Sequence, residues 1–521
     1  MKNKILLLVA IALQLLSKYT FAQNIPATPP LNEIIDLIKE KYQEDVNIDS
    51  IVLNMVNDYL NQPETINKLL VSLDPHSYYF TAEEYKYFKE DLGGTFSGVG
   101  LSFRIFNDTV VIVNIIDNGP AQKAGINTGD RILAIDGKTL SGQNKSMDDI
   151  FSALRGEKNT GVDITIRDGH TGNIKEYKII RDQIIIKSID TYYMLDEKTG
   201  YIRLNGFIEN GFDEFSKALA ELNKSGMKNL ILDLRSNYGG YFQVARKIAD
   251  EFLSENKLIV YTEGYNSPRS DYFATSTGQF EKGGLVVLVN GETASSAEIL
   301  TGALQDQKRA TIIGTRTYGK GLIQQMFTLS DTLTALKLTT AKYYTPNGRC
   351  IQRSYNSGPE TYFNDYEMAA INSPHVSDEF RDDEWGIHPD IFIAEDTTSS
   401  DIILNAFIDR FYIQDIAFEY FAGHINEFSA YQHPEDLIKN FNFSGHLPED
   451  INAHIKVEEN ALPEEEKIIY SEKDLEIMKE KIEHLFKAYL AYEIWGAEGL
   501  YRVKNFNDPD ISAAMHVLKN K

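Results

Sequence analysis

Apolar positions along the chain change period from one stretch to the next. In residues 29–88, LNEIIDLIKEKY, VLNMVNDYL and TINKLLVSL place apolar side chains three and four apart, and TAEEYKYFKEDL opens with Thr81 as a cap and an acidic first turn. These stretches read as helices. Residues 94–181 carry short apolar runs broken by glycine: Gly98-Val99-Gly100-Leu101-Ser102-Phe103, residues 109–115, the turn Asn118-Gly119-Pro120-Ala121, the run from Gly129 to Gly137, a helical pattern over 147–154 and a strand over 162–167. That pattern predicts a small β-rich sandwich or barrel.

From residue 184 strands and helices alternate. Strands are predicted at 200–204, 229–234, 285–289 and 311–314 and helices at 211–222, 242–253 and 297–304, with strands at 325–329 and 335–344 beyond them. Such alternation builds βα and βαβ layers. From about residue 401 the helical period returns, with a long charged amphipathic helix within 451–496. The fold class is therefore multidomain α/β: a helical N-terminal region (23–93), a β-rich module (94–182), a mixed α/β core (183–400) and a helical C-terminal region (401–521). A chain of 521 residues is too long for one core.

The α/β core carries the candidate chemistry. Ser295 and Ser296 fall where the apolar strand 285–289 gives way to a helix, a place where a side chain stands beside unpaired helix N–H groups. A serine hydroxyl needs a base, and no histidine lies between His170 and His375. Lys320, in Tyr318-Gly319-Lys320-Gly321, is the substitute: burial favours its neutral amine, and the flanking glycines let backbone approach closely. The turn Arg235-Ser236-Asn237-Tyr238-Gly239-Gly240 follows another apolar strand and presents backbone N–H groups.

These segments resemble the carboxy-terminal processing (tail-specific) serine proteases, which use a Ser/Lys dyad. Thr293-Ala294-Ser295-Ser296-Ala297-Glu298-Ile299 matches the family's nucleophile stretch, and Gly319-Lys320-Gly321-Leu322-Ile323-Gln324 its base segment, 25 residues on from Ser295. The spacing selects Ser295 over Ser296. One departure is the order Ser296-Ala297, reversed from the family's Ala-Ser. The resemblance implies that Gln324 orients the lysine and that the Ser296 amide, with that of Gly239 or Gly240, forms the oxyanion hole. Ser72-Leu73-Asp74-Pro75-His76-Ser77-Tyr78 and Tyr343-Tyr344-Thr345-Pro346-Asn347-Gly348 also match family segments. His76 is expected to be a structural hydrogen-bonding residue.

In the β-rich module, the loop Gly98-Val99-Gly100-Leu101 exposes successive N–H groups before a strand, a nest able to hold a carboxylate, and the strand edge can accept an extended peptide. Its later run, Gly119-Pro120-Ala121 through Asp136-Gly137, resembles the PDZ domain inserted in this family. The resemblance implies an endopeptidase acting near the free C-terminal tails of proteins through an acyl-enzyme. The alternative is an idle peptide-binding scaffold, which needs none of Ser295, Lys320 and Gln324 together.

Residues 1–22 read as a secretory signal peptide, with Lys2 and Lys4 before the apolar run 5–16 and cleavage after Ala22. Export makes the mature enzyme periplasmic or extracellular and soluble. Losing Lys2, Lys4 and Lys18 takes the formal net charge from −24 to −27, which disfavours nucleic acid and anionic membrane partners. The single cysteine, Cys350, excludes an internal disulfide and is expected to be buried or packed. No metal motif is present, and no cofactor is expected. Residues 354–385 are expected to be a surface excursion without catalytic duty, and Glu493 to Gly496 to serve solvent exposure and helix packing. The C-terminal helical region is expected to brace the enzyme, guard its site or join it to an adaptor or a second copy.

Overall fold

The computed structural model describes residues 31–44, 65–106, 109–140, 146–169, 171–276, 278–356, 358, 362, 385–394, 399–443, 447–460 and 462–520. The signal-peptide stretch 1–22 and the VLNMVNDYL helix lie outside them, as does most of 354–385. The chain forms two compact units. The first is drawn from Met1–Lys89, Glu255–Thr275 and Tyr318–Ile387, the second from Glu90–Ser254, Ser276–Thr317 and His388–Lys521.

The first unit is built on an antiparallel sheet ordered Tyr78–Phe80, Ala335–Tyr344, Leu258–Gly264, Ser267–Phe273, with Leu322–Thr328 also paired to Ala335–Tyr344. Helices Leu31–Lys41 and Thr65–Leu73 bury Ile34, Ile38, Leu69 and Leu70 against Leu336 and Leu338. Their apolar stripes were plain in the sequence. Thr81 closes a reciprocal cap with Glu84, as its position predicts.

The second unit holds a six-stranded sheet ordered Ile189–Met194, Thr199–Leu204, Asn229–Asp233, Gly284–Val289, Thr311–Gly314, Ile391–Phe392. The first pair is antiparallel and the rest parallel. Val286 and Leu288 face Tyr201, Ile231 and Ile313 and are covered by the helix Pro509–Lys519. Val287 on the opposite face is equally buried. Burial on both faces explains why Gly284–Val289 is a continuous apolar run rather than an alternating one. The helix Ser296–Asp306 is buried from Ser296 to Leu304, which its all-round apolar character requires.

The β-rich module of this unit has a sheet ordered Leu101–Phe106, Thr109–Ile115, Arg131–Ile135, Gly161–Arg167, Ile174–Ile180, with the helix Met147–Leu154 where the sequence places it. The C-terminal helices Ser399–Asp409, Tyr412–Phe428, Pro434–Asn440, Leu447–Asn460 and Glu472–Lys504 share a core around Phe407, Ile413, Ile451, Ile482 and Phe486. The last of these breaks at Gly496, whose φ of 66° and ψ of −152° no helix accommodates. Among the described residues no helix is long and apolar enough to cross a membrane.

Candidate active site

Ser295 sits in the second unit at the carboxyl end of Gly284–Val289, immediately before the helix Ser296–Asp306. Its φ of 56° and ψ of −117° differ from the extended backbone of an ordinary N-cap. For a side chain other than glycine such a conformation costs about 1–3 kcal/mol and needs surrounding structure to hold it. Glu298, fully buried, supplies part of that: its Oε2 accepts the Ser295 N–H at 2.9 Å, and its Oε1 accepts the buried Thr317 hydroxyl at 2.6 Å.

The Arg235–Gly240 turn leaves the neighbouring parallel strand Asn229–Asp233, so the two turns lie side by side. Hydrogen bonds lock them. Ser236 N donates to Asn290 Oδ1 (2.8 Å), Thr293 Oγ1 to Leu234 O (2.9 Å), Ala294 N to Asn237 O (2.9 Å) and Ser296 Oγ to Gly240 O (2.8 Å). The last bond uses the hydroxyl of Ser296, which is buried, whereas Ser295 is half-buried. A methyl group on Gly239 (φ 97°) would lie 2.9 Å from Ser295 Cβ, Ser296 N and Ala294 O, so only glycine brings this backbone against Ser295.

The Gly239 N–H donates to Asn237 Oδ1 at 2.9 Å, while the N–H groups of Gly240 and Ser296 have no hydrogen-bond partner among the described residues. Beneath the turn, Asp233 is fully buried between Arg203 (2.7 Å) and Arg235 (2.6 Å), and Arg235 continues to Asp508 (2.7 Å) and Asp510 (3.0 Å). Burial opposes the Asp233 charge, but the two guanidiniums outweigh it and hold its carboxyl well below the usual range.

Lys320 and Gln324 belong to the first unit. Lys320 is half-buried between two glycines that are sterically required: a methyl on Gly319 (φ 83°) would meet the Trp385 ring at 2.8 Å, and one on Gly321 the Gln352 N at 2.8 Å. Bonds from Arg353 N to Gly319 O (2.9 Å) and from Gly321 N to Gln352 Oε1 (2.8 Å) fix the loop.

Gln324 lies on Leu322–Thr328, a strand starting earlier than the sequence suggests. Its pairing register shifts between Ile323 and Gln324, so simple alternation from Lys320 does not set the direction of Gln324. The Gln324 amide donates to Thr339 Oγ1 (3.3 Å), and Thr339 to Asp74 Oδ1 (3.0 Å). Asp74 is buried and also accepts from His76 N, Ser77 N (both 2.8 Å) and the Ser77 hydroxyl (2.6 Å).

His76 is hydrogen-bonded to the Tyr362 hydroxyl at 2.9 Å, in keeping with a structural role. Burial, then the positive charges of Lys320, Lys337 and Arg353, push its pKa down to about 2, so the ring is neutral.

Two expectations are corrected in this unit. Tyr362 and Trp385, from the stretch expected to be a surface excursion, pack inward: Tyr362 is buried, and both rings lie over the Arg353 guanidinium (4.3 and 5.2 Å) beside the Lys320 loop. Aromatic area and the cation–π attraction draw the ends of that stretch in. Cys350, expected to be buried, is exposed, because it lies just past the Thr345–Gly348 turn and meets the sheet only through a single bridge to Tyr344.

In the β-rich module, the carbonyls of Val99 and Gly100 accept from Ala121 N (2.8 Å) and Ile116 N (3.0 Å), and Gly100 has a φ of 74°. Gly98 and Leu101 flank them, Leu101 opening the strand Leu101–Phe106. Among the described residues that strand is a sheet edge, with the helix Met147–Leu154 beside it and the Phe103 and Phe151 ring centres 4.8 Å apart. Glu493, expected to face solvent or pack between helices, instead borders a cavity against this module. No group of three or more His, Cys, Asp or Glu side chains among the described residues is placed to hold a metal.

The sequence reading missed the second layer: Asn237, Asn290 and Glu298 around Ser295, and Asp74, Thr339 and Tyr362 around the lysine loop. The Ser295–Glu298 spacing was a usable signal for Glu298. Asp74, Asn237 and Asn290 make local turn bonds as well, but their links to Thr339 and between the two turns cross long stretches of sequence.

Residues 198–358 match peptidase family S41, residues 111–168 a PDZ domain, and residues 403–496 a family of unknown function. A carboxy-terminal-processing protease of Bartonella bacilliformis is 38% identical over 55% of this chain and 66% of its own length. A carboxyl-terminal-processing protease of Picosynechococcus is 39% identical over 54% of this chain and 68% of its own length. The chain thus spans about two thirds of these curated relatives. Among solved structures, a photosystem II D1 C-terminal processing protease is similar at 26% identity and a TM-score of 0.39, covering 70% of this chain and 92% of that one. With a curated relative 39% identical over more than two thirds of that relative's length, the chain belongs to the carboxyl-terminal-processing serine proteases of peptidase family S41.

Proposed function

We propose that this protein is an exported serine endopeptidase that cleaves protein substrates near their free C-termini, acting in the periplasm or outside the cell after loss of residues 1–22. Neutral Lys320, oriented by Gln324, takes the proton from Ser295 Oγ as that oxygen bonds to the scissile carbonyl carbon. The negative charge on the carbonyl oxygen is met by the Ser296 N–H and an N–H from the Gly239–Gly240 pair, Gly240 being the one with no other partner among the described residues. The lysine then gives its proton to the departing amine, and water releases the acyl group from Ser295. The tail's carboxylate is held by Gly98, Val99, Gly100 and Leu101, and the chain preceding it extends along Leu101–Phe106.

The observation that carries this reading is the Ser295 turn: a strained backbone against an obligate glycine, with the neighbouring Ser296 hydroxyl already committed to Gly240 O. The test is hydrolysis and acyl-adduct mass spectrometry on Ser295→Ala, Ser296→Ala and Lys320→Arg, with matched acid and amide peptides. Ser295→Ala is expected to lose hydrolysis by on the order of a millionfold and to take no adduct. Lys320→Arg is expected to be inactive, since arginine stays protonated. Ser296→Ala retains turnover, and the amidated peptide is the poorer substrate. An adduct on Ser296, or an active Ser295→Ala, would overturn the assignment.

A further inference from the structure

The tail-binding strand has two faces, and the C-terminal helical region packs on the one away from the module's core. Along Leu101–Phe106 side chains alternate. Phe103 is buried in the module's core, with Leu101 and Ile105 packed against it, while Ser102 is exposed and Arg104 reaches away from that core to Asp415. A strand added at this edge alternates likewise, and on an isolated module its outer side chains would meet water. Here Arg104 pairs with Asp415 and lies 4.3 Å over the Phe411 ring. Further along, Val111 packs against Phe418 of the same helix, Tyr412–Phe428.

Between the two surfaces lies a cavity of about 490 Å³, bordered along the strand by residues 102–105, by Met147 beside it, and by Phe411, Asp415 and Glu493 across from it. Three of the large apolar side chains exposed in this protein ring it or the adjoining helix: Met147 (38% exposed), Phe151 (40%) and Phe411 (52%). Phe411 also holds a left-handed backbone, φ 63° and ψ 13°, unfavourable for an aromatic residue. The charges are unequal. Arg104 is taken by Asp415 and Arg410 by Glu459, whereas Glu493 has no ion-pair or hydrogen-bond partner among the described residues.

We propose that the helical region beginning at Ser399 forms the second wall of the tail-binding groove, where Phe411 clamps the tail and Glu493 selects a cationic side chain. The tail is then read on both faces: one set of alternate side chains meets Phe151, the other meets Phe411, Asp415 and Glu493, and Met147 stands at the mouth between them. This rests on the tail-recognition reading above and adds the class of tail, one with lysine or arginine in the outward register. Burial raises the Glu493 carboxyl to about 7 against the pull of Arg104, so an arriving cation restores the charge that burial disfavours.

The experiment is fluorescence-anisotropy binding of short peptides with free C-termini to the full chain carrying Ser295→Ala. Each position near the terminus is varied among lysine, norleucine and glutamate. Lysine is expected to be favoured about five-fold at alternate positions only, as suits a partly screened ion pair. Glu493→Gln, which preserves shape, removes that preference, so that lysine and norleucine tails bind alike. Phe411→Ala weakens all tails about ten-fold, as the loss of a large apolar contact requires. A lysine preference that survives Glu493→Gln, or none at any position while amidation still weakens binding, would overturn the second wall and leave tail recognition standing. Equal binding of acid and amide peptides would overturn tail recognition and the second wall with it.

Discussion

The serine turn and the lysine loop solve the same problem with different reach along the chain. Each has nearby a buried carboxylate that gathers hydrogen bonds from backbone and hydroxyl groups. For Ser295 it is Glu298, one helical turn away, accepting from Ser295 N and Thr317 Oγ1. On the strand that follows the Lys320 loop it is Asp74, which accepts from His76, Ser77 and Thr339 and reaches Gln324 through Thr339. The first support is written beside the residue it serves; the second joins parts of the chain that are far apart in sequence and meet in one sheet.

The largest departure from this picture should come from Gly239→Ala, because the added methyl has nowhere to go between Ser295 Cβ and Ser296 N. The expected fall in kcat is about 10²- to 10³-fold, the size of losing an oxyanion donor. The corresponding Tyr238→Ala, on a side chain 68% exposed, should change kcat little and serves as the control. Equal kinetics for the two variants would show that the turn does not abut the reacting centre.

Removing the carboxylates comes next. Asp74→Ala leaves several donors without their acceptor and should cost about 4 kcal/mol in urea unfolding, against about 2 kcal/mol for Glu298→Ala, at about 1–3 kcal/mol for each buried group left unsatisfied. A smaller loss at Asp74 than at Glu298 would reverse the comparison.

A pH effect follows from His76. Its folded pKa is lowered, so above about 6.5, the unfolded value, the ring is neutral in both states and its contribution is fully present. As pH falls below that value the unfolded chain takes up a proton that the folded ring refuses until about pH 2, and stability drops by up to ~1.4 kcal/mol per pH unit. His76→Gln should remove this slope, measured by urea unfolding between neutral and acid pH. A slope unchanged by the substitution would mean His76 is protonated in the fold. Smallest of all, Tyr362→Phe removes one hydroxyl from His76 and should cost about 1 kcal/mol.

What was legible in the sequence follows the same division. The strands around Gly284–Val289, the helix after Ser295 and the glycines beside Lys320 are fixed by local pattern and were placed within a few residues. The resemblance singles out Ser295, Lys320 and Gln324 because their spacing is short and their residue types chemically restricted, and their roles stand as the proposal made above. The link from Asp74 through Thr339 to Gln324, the inward turn of Tyr362 and Trp385 and the approach of Phe411 and Glu493 to the PDZ-like module depend on side chains that meet only after the chain has folded. Cys350 was misjudged for the same reason: its apolar neighbour Ile351 is buried, while Cys350 beside it stays in solvent.

The central claim is that Ser295 attacks with Lys320 as its base, and the pH dependence of single-turnover acylation tests it most directly. His76 does not titrate near neutrality, so it cannot supply a rising limb there. Acylation by an activated peptide ester should rise with pH through one apparent pKa below the value of about 10.4 for free lysine. In Lys320→Met that limb should vanish along with nearly all of the rate. A profile flat from acid to alkaline pH, or the same rising limb in Lys320→Met, would contradict the account.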